Sequence, residues 1–266
     1  MTKALREAVR GRRPLLGAFV KTASHQAVEL TAATGADFAV VDAEHAPFDR
    51  STLDAMVPAG RAGGLPLLVR PPDLDPSFIG QALDLGFAGV LAPHVASPKA
   101  ARRVIAAARF DAGQRGFSPS TRAGGYGAGD PADYRRAADA ATCLWVQIED
   151  AEALPQLDAI AAIDAIDCLF VGRADLALSL GVERPDDPKL VEAVRTIAAA
   201  GGRAGRTLGI YVGSPDEIAA LRALGFSLFI CGSDQSWLLA EGRRVRRAAD
   251  EAFNGDSLAP AKRGRG

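Results

Sequence analysis

The chain has 266 residues, 48% of them hydrophobic and 24% charged, the composition of a soluble globular protein with apolar material for one closed core. A formal charge of −1 gives no general attraction for nucleic acid or an anionic membrane, so neither is expected as a partner. No apolar run nears the roughly 18–20 residues that span a bilayer, and the N-terminal MTKALREAVRGRRP reads as a short polar helix without the apolar stretch of a secretory signal.

Eight short, continuously apolar runs follow in order: Leu15–Val20, Phe38–Asp42, Pro66–Arg70, Ala88–Ala92, Leu144–Ile148, Asp167–Val171, Leu208–Val212 and Ser227–Cys231. Continuous rather than alternating hydrophobicity marks strands buried on both faces, as in parallel sheets. Between them the punctuation is helical. Asp75-Pro76, Ser97-Pro98, Asp130-Pro131 and Ser214-Pro215 each set a capping side chain before a proline suited to a first helical turn. Gly35, Gly86 and Gly225 stand where helices stop in a left-handed residue. Strands alternating with helices predict α/β architecture in one domain, a single (β/α)8 TIM barrel over residues 1–253. A doubly wound open sheet is the rival, but no G-x-G-x-x-G follows the first strand. Residues 111–130 hold six glycines and read as a long mobile loop; residues 254–266 read as a disordered tail. Cys143, Cys168 and Cys231 match no zinc spacing and are odd in number, so free thiols in a reducing cytoplasm are expected.

Barrel enzymes build their sites at the C-terminal ends of the strands. There this sequence sets Lys21, Asp42-Ala43-Glu44-His45, Arg70, His94, Glu149 and Arg173-Ala174-Asp175. Glu149 and Asp175 end consecutive strands, which lie about 4.8 Å apart in a parallel sheet. Two such carboxylates can converge on one cation, and oxygen ligands with open positions suit Mg2+ or Mn2+. Two solvated helix-capping acids are the plainer reading. Arg70, continuing a buried strand, needs an anionic partner. It serves equally as a clamp for a developing oxyanion or as a structural ion pair with Asp42 or Glu44. His45 and His94 have the rim position for proton transfer. Taken alone each is more often a bystander, and His25 receives no role.

The string Val41-Asp42-Ala43-Glu44-His45-Ala46-Pro47 resembles the D-G-E-H-x-P segment of the HpcH/HpaI aldolases, the hydroxy-oxo-heptanedioate aldolase type. So do Val69-Arg70-Pro71, Leu91-Ala92-Pro93-His94-Val95, Arg115-Gly116, Val146-Gln147-Ile148-Glu149 and Val171-Gly172-Arg173-Ala174-Asp175-Leu176, in family order over roughly residues 15–240. The resemblance implies a class II aldolase that handles a 2-oxo acid and an aldehyde through a pyruvate-type enolate, with Mg2+, Mn2+ or Co2+ as cofactor. It implies that Glu149 and Asp175 hold the metal and that Arg70 stabilises the enolate oxygen. His45 would act in the acid–base step with its ring oriented by Asp84. Backbone N–H groups over Gly172, Arg173, Ala174 and Asp175 would receive the substrate carboxylate beside Gln147. A homo-oligomer, commonly a hexamer, is implied as well. Ala43, Arg173 and Lys21 depart from the family pattern, Arg173 replacing a proline, and these bear on the substrate more than on the reaction. Three alternatives stand beside this reading: a Schiff-base aldolase using Lys21, a citrate-lyase-like enzyme for CoA esters, and a barrel that binds an oxo acid without turning it over.

Overall fold

Strands β1 (Leu15–Val20), β2 (Phe38–Asp42), β3 (Leu67–Arg70), β4 (Gly89–Ala92), β5 (Cys143–Ile148), β6 (Cys168–Val171), β7 (Thr207–Val212) and β8 (Leu228–Ser233) each pair in parallel with the next, and β8 closes on β1. This is a (β/α)8 barrel, seen in a computed structural model that describes residues 2–255. Helices occupy Thr2–Arg10 (α1), His25–Ala33 (α2), Arg50–Ala62 (α3), Pro76–Leu85 (α4), Pro98–Ala108 (α5), Pro131–Ala141 (α6), Leu157–Ala161 (α7), Arg173–Leu180 (α8), Pro188–Arg203 (α9), Ile218–Ala223 (α10) and Asp234–Gly255 (α11). Every strand expected from the sequence is present, with ends moved by no more than two residues. The punctuation works as its chemistry requires. Asp75, Ser97, Asp130 and Ser214 accept from backbone N–H groups at helix starts. Gly86 and Gly225 take φ of 104° and 95° where the chain turns from helix to strand.

Alternate strand residues point inward, and these form one core: Phe38 and Val40, Leu68, Leu91, Trp145, Phe170, Leu228 and Ile230. Trp145 meets Phe38 edge-on at 5.1 Å between ring centroids. The other set, such as Val41, Val69, Leu144, Val146 and Ile148, packs outward on the helices. From below, α1 plugs the barrel with Leu5, Ala8 and Val9. Its Arg6 and Arg10 both pair with buried Asp167 just before β6. With the bottom stoppered by α1, the inward residues near the C-terminal ends form the interior layer open to a ligand among the described residues.

Two regions depart from a plain repeat. The glycine-rich stretch after α5, expected to be mobile, is tied to neighbours by Arg115–Asp84 at 2.7 Å and Arg122–Asp54 at 2.8 Å. Phe117 joins Phe110 and Tyr134 in an aromatic cluster. The last helix, α11, extends from β8 with Leu238, Leu239, Val245 and Phe253 exposed. Of the tail expected from Asn254, the helix takes in residues 254 and 255, and residues 256–266 lie outside the described residues.

Candidate active site at the C-terminal rim

The inward phase of each strand carries straight into the rim. In β5 the inward residues run Trp145, Gln147, then Glu149; in β6, Phe170 then Gly172; in β2, Val40, Asp42, then Glu44; in β3, Leu68 then Arg70. Register then brings partners together, because Asp42 pairs with Arg70 across β2 and β3. Arg70 donates to Asp42 through Nε at 2.9 Å and through its terminal nitrogen at 2.8 Å. It also lies 3.2 Å from Glu44 and 4.7 Å above the Phe19 ring. Lys21 Nζ stands 3.2 Å from Asp42, and the His45 backbone N–H donates to the same carboxylate at 3.3 Å. Burial raises the Asp42 pKa, but the bonds and charges of Arg70 and Lys21 outweigh it and hold the carboxyl below the ordinary aspartate range.

A second cluster is short of cations. Glu149 is 1% exposed; it accepts from the His94 backbone N–H at 2.8 Å and from the Gln147 amide. Burial pushes its pKa up, the His94 contacts and Gln147 oppose this, and nearby Asp175 pushes it further up. Glu44 is likewise raised by burial against the pull of Arg70, His45 and His94. His94 takes a left-handed backbone, φ 50°, with its ring 3.5 Å from Glu44, 3.6 Å from Glu149 and 3.3 Å from Asp150. Burial lowers the pKa of His94, and these carboxylates more than reverse it. A strained residue fixed between three acids serves the site's geometry, a role its sequence context does not signal.

The donor set fits a divalent cation. Gln147 Oε1 is buried without a hydrogen-bond partner, an acceptor in want of a cation or a donor. Gly172 leaves open the space beside it: a methyl there would collide with Glu149 Oε2 and sit 2.8 Å from Gln147 Nε2. A buried carboxylate with a raised pKa, which a second carboxylate pushes further up, is stabilised by a hard cation with oxygen preference. Among the described residues no group of three or more His, Cys, Asp or Glu side chains is arranged to hold a metal ion, so any cation here would rest on fewer protein carboxylates.

A cavity of about 370 Å³ opens above this layer, and His45, Arg70, Gln147, Gly172, Arg173, Ala174 and Asp175 all line it. Phe19, Lys21, Phe170, Tyr211 and Ser233 complete its wall. Phe19 and Tyr211 are contributions that the sequence reading missed. The signal existed, since Phe19 shares the inward phase of Lys21 and Tyr211 is the last aromatic of β7. Asp42 and Glu44, read only as ion-pair partners, turn out to organise Arg70 and both histidines.

One expectation fails within the chain. Asp84 does not reach His45; it pairs with Arg115 at 2.7 Å, which also reaches Tyr134 Oη at 3.4 Å. The reason is topological. A helix following a parallel strand runs back toward the strands' N-terminal ends, so the last turn of α4 lies at the end of the barrel opposite His45. The ring of His45 instead has Glu44 at 3.7 Å.

Comparison with known proteins gives a consistent picture. The model of the family described as HpcH/HpaI aldolase/citrate lyase matches residues 15–240. A pyruvate aldolase of Rhizobium etli is 38% identical over 84% of this chain and 87% of its own length. A hydroxypyruvate/pyruvate aldolase of Deinococcus radiodurans is 35% identical over 99% of this chain and 95% of its own. The crystal structure of a family protein from Burkholderia cenocepacia superposes with a TM-score of 0.88 at 32% identity, covering 93% of this chain and 99% of that one.

Proposed function

The chain belongs to the HpcH/HpaI aldolase/citrate lyase family, and from that premise we infer a carbon–carbon lyase: a metal-dependent aldolase that splits and forms the C–C bond of 4-hydroxy-2-oxo acids. It works through a pyruvate-type enolate, with an aldehyde as co-substrate. The observation that carries this reading is the top interior layer, where Gln147, its Oε1 without a partner, shares one cavity with Arg70, His45 and Asp175, while Glu149, its pKa raised by burial, accepts from the Gln147 amide. A non-catalytic binder gains little from an acid–base histidine set beside an oxyanion clamp.

Glu149 and Asp175 would hold a divalent cation, Mg2+, Mn2+ or Co2+, which when bound supplies Lewis-acid polarisation of the substrate's keto oxygen. Arg70 faces the developing enolate oxygen. Its guanidinium is fixed by two bonds to Asp42 and by the Phe19 face, so it loses little freedom when charge appears. Backbone N–H groups at the start of α8, over Gly172–Asp175, receive the substrate carboxylate with the helix dipole behind them. His45 takes the proton from the C4 hydroxyl as the C3–C4 bond breaks, releasing the aldehyde and leaving the electron pair on the enolate. In the synthetic direction it returns that proton.

Asp84 can orient His45 only from another copy of the chain, given where α4 ends. A homo-oligomer, a hexamer in keeping with the family, is part of this proposal, and the exposed apolar residues of α11 support association. Lys21, ion-paired with Asp42, is a cation rather than the neutral amine that an imine requires. Cytoplasmic placement rests on the free Cys143, Cys168 and Cys231. The deciding experiment is a retro-aldol assay on a panel of 4-hydroxy-2-oxo acids, with and without added metal. Metal-dependent release of pyruvate or hydroxypyruvate is expected. Turnover that survives verified metal removal would reject the mechanism.

A further inference from the structure

The residues with a part in holding the donor come from β2, β3, β5 and β6 and the start of α8. The rest of the cavity wall is Lys21, engaged with Asp42, and an uncharged stretch of Phe19, Tyr211 and Ser233, whose two rings lie 6.2 Å apart. By elimination this is where the aldehyde lies. Arg173 borders that wall. Its guanidinium donates to Glu217 at 2.7 Å and to the Tyr211 carbonyl at 2.9 Å. Glu217 is itself fixed, because its other oxygen accepts from the Gly213 and Ser214 N–H groups at 2.8 and 3.3 Å. The pairing with Arg173 outweighs partial burial and holds the Glu217 carboxyl below its ordinary range. The side chain is thus a strut between the β6 and β7 rims. On its far side runs an open groove of about 810 Å³ between α8, α9 and the end of β7. It is lined by Ala177, Leu178, Val182 and Leu190, and it shares Arg173, Ala174 and Tyr211 with the site cavity.

We propose that Arg173, braced by Glu217, is a specificity-determining residue: it partitions the site cavity from this apolar groove and confines the acceptor to short aldehydes. The inference rests on the aldolase reading and adds the acceptor's size class to it. With the strut in place, the 370 Å³ cavity must hold both the 2-oxo acid and the whole aldehyde. A longer alkyl chain then has to displace a charged side chain from two partners, leaving Glu217 unpaired. With the strut removed, the same chain passes between Ala174 and Tyr211 and buries its methylenes on Leu178 and Val182.

The test is a profile of kcat/KM for aldol addition of pyruvate to unbranched aldehydes of two to eight carbons, comparing shapes rather than absolute rates. Wild type should fall as the chain lengthens. Arg173→Ala should recover about threefold to fourfold per added methylene relative to wild type, the gain expected from burying a CH2 group, and mainly through KM for the aldehyde. Glu217→Gln, which unties the strut and leaves the arginine in place, should tilt the profile the same way by less. It also keeps the test alive where Arg173→Ala folds poorly. Adding Ala177→Trp to Arg173→Ala should refill the groove and abolish the gain for long aldehydes alone. Profiles of the same shape in wild type, Arg173→Ala and Glu217→Gln would overturn the proposal, as would a gain that survives Ala177→Trp. If wild type handles no aldehyde of any length, the aldolase reading falls first and takes this inference with it. Activity on short aldehydes with an unaltered profile removes this inference alone.

Discussion

The two ends of the barrel each bury an aspartate beside arginine, and they differ in what is left over. At the N-terminal end Asp167 accepts from Arg6 at 3.0 and 3.1 Å and from the Leu144 N–H at 2.9 Å, with Arg10 on the same carboxylate. Donors surround it and nothing is missing. At the C-terminal end Asp42 is served as fully by Arg70, Lys21 and the His45 N–H. Next to it, however, Glu44 and Glu149 have pKa values pushed up, and Gln147 Oε1 has no donor at all. A saturated cluster can hold a fold and do nothing more. An unsaturated one has bonding capacity kept for a ligand, which is what distinguishes a site from a strut built of the same residue types.

Substitution at matched positions should break the two apart. Glu149→Ala or Asp175→Ala should cut turnover by orders of magnitude and weaken metal binding, with little loss of thermal stability, because burial of Glu149 without a cation is itself unfavourable. Asp167→Asn should do the reverse. It strands Arg6 and Arg10, and breaking a buried pair costs about 3–5 kcal/mol, while turnover per folded molecule stays near wild type. Thermal melts beside assays normalised to folded protein measure both. If Asp167→Asn abolished turnover without lowering Tm, the contrast between the ends would be wrong.

Within the unsaturated end, Arg70 and His45 should separate by reaction. Oxaloacetate decarboxylation and aldol cleavage share the enolate that Arg70 faces, so Arg70→Ala should impair both. Only cleavage removes a hydroxyl proton, so His45→Ala should impair cleavage alone, by about 10²–10⁴-fold. Comparable losses in the two assays for His45→Ala would remove it from the acid–base role. Gly172→Ala should have a smaller effect. Its φ of −89° is open to alanine, so the cost is steric: the methyl meets Glu149 and Gln147. A shift of a ligand's neighbour is worth about 10–100-fold in metal affinity, readable by calorimetric titration. Unchanged affinity would mean that the Gly172 cradle is slack.

Much of this was legible in the sequence, for identifiable reasons. Continuous apolar runs and Asp-Pro or Ser-Pro caps gave the strands and helix starts because those signals are local. Arg70 and Glu149 could be placed on the rim because they stand at the ends of apolar strands, whereas Gln147, inside its strand, was pointed to only by the family resemblance. Asp84 could not, since a helix end's distance from a strand end follows from topology, and its partner Arg115 lies 31 residues away in a loop. The contact of Arg173 with Glu217 spans 44 residues and joins two connections after neighbouring strands, so only the folded barrel reveals a strut. His94 looked like a bystander because neither its φ of 50° nor its three acidic neighbours leave a mark in Ala92-Pro93-His94.

The smallest expected effect concerns Lys21, whose position in the cavity invites the Schiff-base alternative. An imine forms when a neutral amine attacks the keto carbon and water leaves, so the amine has to surrender its proton first. Here Nζ lies 3.2 Å from fully buried Asp42, which Arg70 already binds through both oxygens, and deprotonation would give up an ion pair inside the barrel mouth. The backbone holds the residue in this place as well. The Lys21 and Thr22 N–H groups donate to Asp234 at 2.8 and 3.0 Å, fastening the end of β1 to the start of α11. Lys21 thus belongs with the saturated part of the rim, as a cation that helps neutralise Asp42 and adds positive field for an incoming carboxylate. Lys21→Met should change substrate affinity or preference while retaining substantial turnover, a far smaller loss than that of Arg70→Ala. Borohydride treatment with pyruvate present should leave the protein's intact mass unchanged. A reduced pyruvyl adduct mapped to Lys21 would place this lysine among the reacting groups and overturn the division of the rim.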